Sequence, residues 1–172
     1  MIVIAHQELT SSAASITFSD IPQTYTDLYL TVSGRTDRSA NVGDAFRITV
    51  NGATGYSIKY LYGSGSGVGS YGYANLDGLS ATAANATSNT FGNASAYIPN
   101  YTSTGAKSVS LDGVGENNAT EAYQQLTAGL ITTTSAITSL TLASAFGTNL
   151  LQYSSATLYG VLAGSDGITT VA

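Results

Sequence analysis

Apolar and polar residues alternate with a period of two through most of the chain, which is typical of β-strands with one buried face. In residues 27–33, for example, Leu28, Leu30 and Val32 fall on the same face. The pattern occurs in nine segments, which are residues 15–18, 27–33, 45–50, 56–62, 95–98, 107–111, 123–131, 136–143 and 153–162. Short strands separated by turn signals predict an all-β fold. We expect an antiparallel β-sandwich, specifically a jelly roll of eight or nine strands.

Two dipeptides between these strands are strong turn signals. Asn51-Gly52 and Asp112-Gly113 both combine residues that adopt positive φ at low cost, so each predicts a tight turn. Residues 26–34 and 156–164 share a pattern rich in Leu and Tyr, and early and late strands of a jelly roll lie side by side. The sequence therefore predicts that these two strands pair antiparallel.

Residues 61–72 form a low-complexity segment rich in Gly and Ser, which predicts a flexible loop between strands. Its borders carry Tyr60, Tyr62, Tyr71 and Tyr73, whose rings either anchor the loop or form a contact surface. We expect one sandwich domain over residues 1–172. Short extensions are expected at about residues 1–12 and 163–172, which lack a strand pattern.

The composition is poor in charge, and this excludes some classes of function. Charged residues are 9% of the 172 residues, against about 25% in an ordinary soluble domain. Five scattered cations do not suffice to neutralise a phosphate backbone, so we expect no nucleic-acid partner. No apolar stretch reaches the roughly 20 residues that cross a bilayer, and no secretory signal is recognisable, so we expect no membrane partner.

The sequence shows no recognisable catalytic or metal site. His6 is the single imidazole, and Cys is absent, whereas zinc needs three or four ligands of these types or carboxylates. No Gly-x-Ser-x-Gly motif precedes an Asp and a His, and the Gly-rich segment lacks the Gly-Lys-Ser/Thr ending of a phosphate-binding loop. We therefore predict no catalytic residue, no cofactor and no metal.

Two groups of carboxylates were the remaining candidates for chemistry. Asp37 and Asp44 lie in a loop region with Arg35 and Arg38, and we expect these charges to form salt bridges with one another. Residues 116–121 carry a Glu at each end and predict either a solvated loop or a weak cation site.

Several segments resemble a group of small virion proteins of tailed phages, including cyanophages and marine phages. They are residues 16–28 (ITFSDIPQTYTDL), 47–52 (RITVNG), 97–101 (YIPNY), and 140–142 (LTL) with 152–161 (QYSSATLYGV). The resemblance extends over about residues 15–162. It implies a non-enzymatic structural role in the particle and does not by itself distinguish head from tail.

The sequence is therefore consistent with three functions. The first is a capsid decoration (cement) protein that sits on the head as a homotrimer and bridges subunits of the major capsid protein, with residues 1–9 or the C-terminal tail as arms. The second is a tail or fibre component that touches host surface glycan through the tyrosine-bearing loops. The third is a carbohydrate-binding module. The first two place the protein in the virion, after synthesis in the cytoplasm of a bacterial host.

Overall fold

A computed structural model describes residues 1–65 and 67–162. The described residues contain no helix, and hence none long and apolar enough to cross a membrane. This part of the chain forms twelve strands: β1 (Ile2–Glu8), β2 (Ser15–Phe18), β3 (Asp27–Gly34), β4 (Gly43–Val50), β5 (Tyr56–Gly63), β6 (Val68–Tyr73), β7 (Leu76–Thr82), β8 (Gly92–Ile98), β9 (Lys107–Asn117), β10 (Glu121–Ile131), β11 (Leu140–Ser144) and β12 (Ser155–Val161).

The strands form two antiparallel sheets that pack as a sandwich. The larger sheet has the order β1-β12-β3-β8-β9-β10-β5-β6, and the smaller has the order β2-β11-β4-β7. The chain passes from one sheet to the other repeatedly, and an early and a late strand lie side by side in each sheet: β2 beside β11, and β3 beside β12. This is a jelly-roll-like arrangement, and the predicted all-β antiparallel sandwich is confirmed.

Alternation along the strands places one apolar face of each sheet in a shared core. On β3, Leu28, Leu30 and Val32 are buried, and the residues between them are more exposed. From the smaller sheet, Phe46 and Ile48 enter the same hydrophobic cluster. Burial of such side chains stabilises the fold by roughly 1.5–3 kcal/mol each, so the core carries the stability of a chain without disulfides.

The predicted pairing of the early and late Leu-Tyr strands is confirmed. β12 pairs antiparallel with β3, with Leu158 opposite Leu30 and Tyr159 opposite Tyr29. The two tyrosine rings lie 6.4 Å apart between centroids on the outer face. The Leu pair faces the core, so the same register serves both faces of the sheet.

The strand count is larger than the predicted eight or nine, because β1, β6 and β7 have no clear alternation. β1 and β6 are the edge strands of the larger sheet and are exposed along most of their length. β7 is buried at every position, so its sequence LDGLSAT has no polar face to reveal the period. Period-two patterns identify half-buried strands and miss strands that are buried or exposed on both faces.

The two predicted turns had different outcomes. Asn51-Gly52 is a tight turn between β4 and β5, with φ of 49° and 65° and a hydrogen bond from Ala53 N to Val50 O of 2.8 Å. The Asp112-Gly113 turn was wrong, because both residues lie inside β9. A Cβ on Gly113 would lie 2.5 Å from the backbone nitrogen of Ser80 on β7. This glycine permits close approach of the two sheets.

The N-terminal extension expected at about residues 1–12 is instead largely a strand. β1 pairs with β12 from Ile2 opposite Gly160 to Glu8 opposite Ser155. Its edge position leaves both faces partly solvated, which explains the weak pattern in the sequence. The expected extension at 163–172 lies outside the described residues.

Candidate ligand-binding groove

The Gly-rich segment forms a β-hairpin rather than the predicted loop. β5 and β6 pair along Ile58–Gly63 and Val68–Tyr73, and Ser64 N donates to Gly67 O at 3.0 Å in the turn. Gly65 in this turn has a φ of 80°, which explains a glycine at that position. Gly69, by contrast, lies within β6, where it makes room for an aromatic ring.

The hairpin brings together the four tyrosines that the sequence singled out. Tyr60 lies opposite Tyr71 in the register, and Tyr73 lies opposite Ile58, so all four rings share the inward-facing side of the hairpin. Ring centroids are 5.7 Å apart for Tyr60–Tyr71 and for Tyr62–Tyr71, and 5.9 Å for Tyr60–Tyr73. We call these four residues the tyrosine platform.

Glycine on β6 allows the platform to lie flat. A Cβ on Gly69 would collide with the ring of Tyr62, its cross-strand partner, so that ring lies directly over the glycine backbone. An aromatic side chain that covers a strand glycine restores the packing that the glycine lacks. The low complexity of residues 61–72 therefore reflects ring packing as well as the turn.

The platform forms one wall of a groove of about 530 Å³. Three of its tyrosines line the groove, and Tyr73 stacks behind them against Tyr60. The opposite wall comes from the loop before β4 and from β7, and the floor from β10. The lining residues are Arg38, Asn41, Gly43, Tyr60, Tyr62, Tyr71, Ser80, Tyr123, Gln124 and Gln125.

The groove is open because the two sheets differ in width. The larger sheet has eight strands and the smaller four, and β7 is the last strand of the smaller sheet on this side. Along β5, Ile58 is fully buried, Tyr60 and Tyr62 are half-buried, and Tyr71 on the outermost strand β6 is 49% exposed. Beyond the edge of β7, the buried core is therefore followed by the partly exposed rings of the tyrosine platform.

Hydrogen bonds hold the loop that carries Arg38 and Asn41. Asp37 accepts hydrogen bonds from Thr148 N (2.7 Å), Asn149 N (2.9 Å) and Asn149 Nδ2 (2.8 Å). Burial raises the pKa of Asp37, but the hydrogen bonds from Asn149 and Thr148 together outweigh it, so the pKa is lowered. Arg38 donates to Gly43 O at 3.1 Å, and its guanidinium lies 4.7 Å from the centroid of the Phe146 ring.

The pKa values of two platform hydroxyls, those of Tyr60 and Tyr62, are raised, so both hydroxyls are neutral at physiological pH. Burial, and then the neighbouring Tyr73 hydroxyl, raise the pKa of Tyr60. Interaction with the Tyr71 hydroxyl raises the pKa of Tyr62. A neutral hydroxyl both donates and accepts hydrogen bonds, so Tyr60 and Tyr62 present uncharged polar groups beside their rings.

The salt bridges expected among the loop charges were wrong. Arg35 is buried and donates four hydrogen bonds of 2.6–3.0 Å to the carbonyls of residues 84, 86, 87 and 90. Asp44 is buried and accepts from Thr36 Oγ1 (2.7 Å) and Ser144 Oγ (2.6 Å). Backbone carbonyls and hydroxyls satisfy these charges, because the fold brings them nearer than the opposite charges.

One ion pair occurs within the described residues, and the sequence did not reveal it. Arg47 on β4 donates to both carboxylate oxygens of Asp77 on β7, at 2.6 Å and 2.9 Å. Glu116 accepts hydrogen bonds from Thr87 N and Ala119 N, and these contacts lower its pKa, with the Ala119 bond first. Over the described residues, no three His, Asp or Glu side chains are grouped closely enough to hold a metal ion.

The outer face of the same corner carries exposed apolar side chains. Leu61 on β5 lies opposite Leu126 on β10, and they are 61% and 51% exposed. Val68 at the start of β6 is 91% exposed, and Leu130 is 40% exposed. We call these four residues the apolar corner. A depression of about 520 Å³ lies over Leu61, Val68 and Leu126.

No protein-family model matches the chain, and no curated protein matches its sequence. The sequence identified the platform because Tyr60 and Tyr62 continue the alternation of β5. It missed Tyr123 and Gln125 on β10 and Asn41 before β4, which reach the groove through strand pairing and the packing of the two sheets. The alternation of Tyr123 and Gln125 along β10 is visible in the sequence, but the proximity of these residues to the hairpin is not.

Proposed function

We propose that this protein is a non-enzymatic structural protein of a phage virion, specifically a capsid decoration protein that bridges subunits of the major capsid protein. The resemblance of residues 15–162 to small virion proteins of tailed phages supports this proposal. The observation that carries it is the apolar corner, because a component bound in many copies needs a surface that gains free energy on contact.

The apolar corner is well suited to such contacts. Its Leu61 and Leu126 are directly opposite each other on the neighbouring strands β5 and β10, so their side chains form one continuous apolar surface. Full burial of a Leu or Val side chain contributes roughly 1.5–3 kcal/mol, so partial further burial of these residues supplies several kcal/mol per contact site. This gain in free energy offsets part of the entropy that the protein loses on association.

The edge strand β1 offers a second kind of contact. Its side away from β12 carries no strand partner in the described structure, and Ile2 and Val3 are 49% and 56% exposed. An unpaired strand edge accepts a further strand through backbone hydrogen bonds. We propose that β1 serves as the bridging arm, between copies in a homotrimer or toward the major capsid protein.

The experiment adds the purified full chain to capsids that lack it and measures saturation and the temperature at which the capsids release DNA. Wild-type protein is expected to bind saturably and to raise that temperature. Leu126→Ser is expected to bind about tenfold more weakly, since a lost apolar contact of this size is worth about 1.4 kcal/mol. Thr141→Ser on the opposite sheet is the control. Equal binding by Leu126→Ser, or no binding by wild type, contradicts the proposal.

A second candidate function is a tail or fibre component that touches host surface glycan. The tyrosine-lined groove favours it, because aromatic rings beside amides are suited to sugars. Adsorption of phage particles distinguishes the two functions. Loss of a tail component abolishes adsorption and leaves heads stable, whereas loss of a decoration protein weakens heads.

A further inference from the structure

We propose that the groove between the tyrosine platform and the loop before β4 binds a neutral hexose polysaccharide. A neutral hexose polymer would be the ligand in the second candidate function, and only the biological use of this binding rests on that function. Binding to the isolated protein is independent of whether the chain sits on the head or on the tail.

The platform supplies the apolar part of a sugar site. Tyr62 and Tyr71 have rings inclined by only 24°, and both line the groove. A pyranose ring has one face made of C–H groups, which packs against an aromatic face, and its rim carries hydroxyls. The Tyr71 ring packs beside the half-buried ring of Tyr60, and the Tyr62 ring lies on the Gly69 backbone, so the platform is held in place before a ligand arrives.

The rest of the groove supplies neutral hydrogen-bonding groups. Asn41 and Gln125 contribute side-chain amides, and Tyr123, which shares the inward face of β10 with Gln125, contributes another hydroxyl. Asn41 donates to Ser39 O at 3.0 Å, and this leaves its side-chain oxygen without a hydrogen bond to another described residue. The side-chain oxygen of Gln125 is likewise not engaged by the described part of the chain. Amides pair with hydroxyls as donors and as acceptors.

The charge of the site distinguishes neutral from acidic sugars. Among the described residues that line the groove, Arg38 alone is charged, and it already contacts Gly43 O and the Phe146 ring. The chain carries a net charge of −5, which repels an anionic polymer at long range. Uncharged hexoses therefore fit the groove better than uronic acids or sialic acids.

The experiment is native affinity electrophoresis of the full chain in gels that contain a soluble glucan, mannan, galactan or polyuronate. At least one neutral polymer is expected to retard wild-type protein. Tyr62→Ala is expected to raise the dissociation constant by about tenfold or more through the lost ring contact. Because the chain has no Trp, quenching of its tyrosine emission by the same polymer gives a second readout of binding, and loss of that quenching in Tyr62→Ala assigns it to the platform.

Matched variants separate the groove from general effects on the fold. Gly69→Ala displaces the Tyr62 ring and is expected to weaken retardation, whereas Gly63→Ala meets no atom within 4 Å and is expected to leave it unchanged. Tyr153→Ala removes a 61% exposed tyrosine elsewhere and serves as the second control. Circular dichroism and melting temperature confirm that each variant is folded.

Three results would overturn the inference: no retardation by any of the three neutral polymers, retardation by the polyuronate alone, or equal retardation of wild type and Tyr62→Ala. None of these results bears on whether the chain belongs to a virion. Failure of the virion proposal, conversely, would leave a positive gel result intact and would favour a carbohydrate-binding module.

Discussion

Gly113→Ala tests the close contact between the two sheets. Gly113 lies in the middle of β9, and the methyl group of an alanine there would lie 2.5 Å from Ser80 N, 3.1 Å from Ser80 Cβ and 3.2 Å from Ser80 Cα. Two of these three atoms belong to the backbone of β7, so a rotamer change does not relieve the clash. The variant folds only if β7 and β9 move apart by about 1 Å at this point.

The expected loss of folding stability in Gly113→Ala follows from the general cost of overpacking a protein interior. Inserting a methyl group into a close-packed interior costs about 1–3 kcal/mol, and alanine recovers about 0.4–1 kcal/mol by restricting the unfolded chain. For a chain of this length each kcal/mol lowers the melting temperature by about 2–4 °C. Gly63→Ala, whose added methyl meets no atom within 4 Å, is the matched control and is expected to be neutral or slightly stabilising.

The assay is urea unfolding followed by circular dichroism, with both variants and wild type measured under one set of conditions. Gly113→Ala is expected to be at least about 1 kcal/mol less stable than Gly63→Ala. A difference below about 0.5 kcal/mol, within the range of ordinary surface substitutions, would refute the close contact of the two sheets at Gly113.

Three further predictions concern charged and ionisable side chains. Arg35→Ala removes four hydrogen bonds to carbonyls and is expected to cost about 2–4 kcal/mol in urea unfolding, with Arg38→Ala costing less than half as much; equal costs would contradict the buried role of Arg35. Because the folded pKa of Asp37 is lowered, its contribution is present above the unfolded pKa of about 3.9 and is lost as pH falls through the folded pKa. Asp37→Asn is therefore expected to be less stable than wild type at pH 7 and to lose less stability on acidification; parallel pH profiles would contradict this. Because the folded pKa of Tyr60 is raised, stability is lost as pH rises above about 10, and Tyr60→Phe is expected to remove the latest step of a phenolate absorbance titration. An unchanged last step would show that Tyr60 is not shielded.

The sequence predicted those parts of the fold in which local pattern and tertiary environment agree. β3 and β12 each have one core face and one solvent face, so their alternation and their pairing could both be predicted. β7 could not, because it is buried along its whole length and contains Asp77. That carboxylate resembles a turn residue in the sequence, and it is accommodated by Arg47, which lies 30 positions earlier in the chain.

Glycine has two structural roles in this fold, and the sequence alone does not distinguish them. Gly52 adopts positive φ in a turn, as the Asn-Gly pair predicted. Gly113 and Gly69 instead make room for a neighbouring strand and for an aromatic ring. The candidate site shows the same limit: the tyrosines of one hairpin could be found from their spacing, whereas the positions of Gln125 on the floor and Asn41 on the opposite wall depend on strand pairing and on how the sheets pack.

The proposed virion role is tested most directly by the copy number of this chain in purified virions, measured by quantitative mass spectrometry against the major capsid protein. Because a decoration protein occupies symmetry-related sites over the whole head, the account predicts on the order of hundreds of copies per particle. A few to a few tens of copies would contradict decoration of the head and favour the tail. Complete absence from the particle would contradict the virion role altogether.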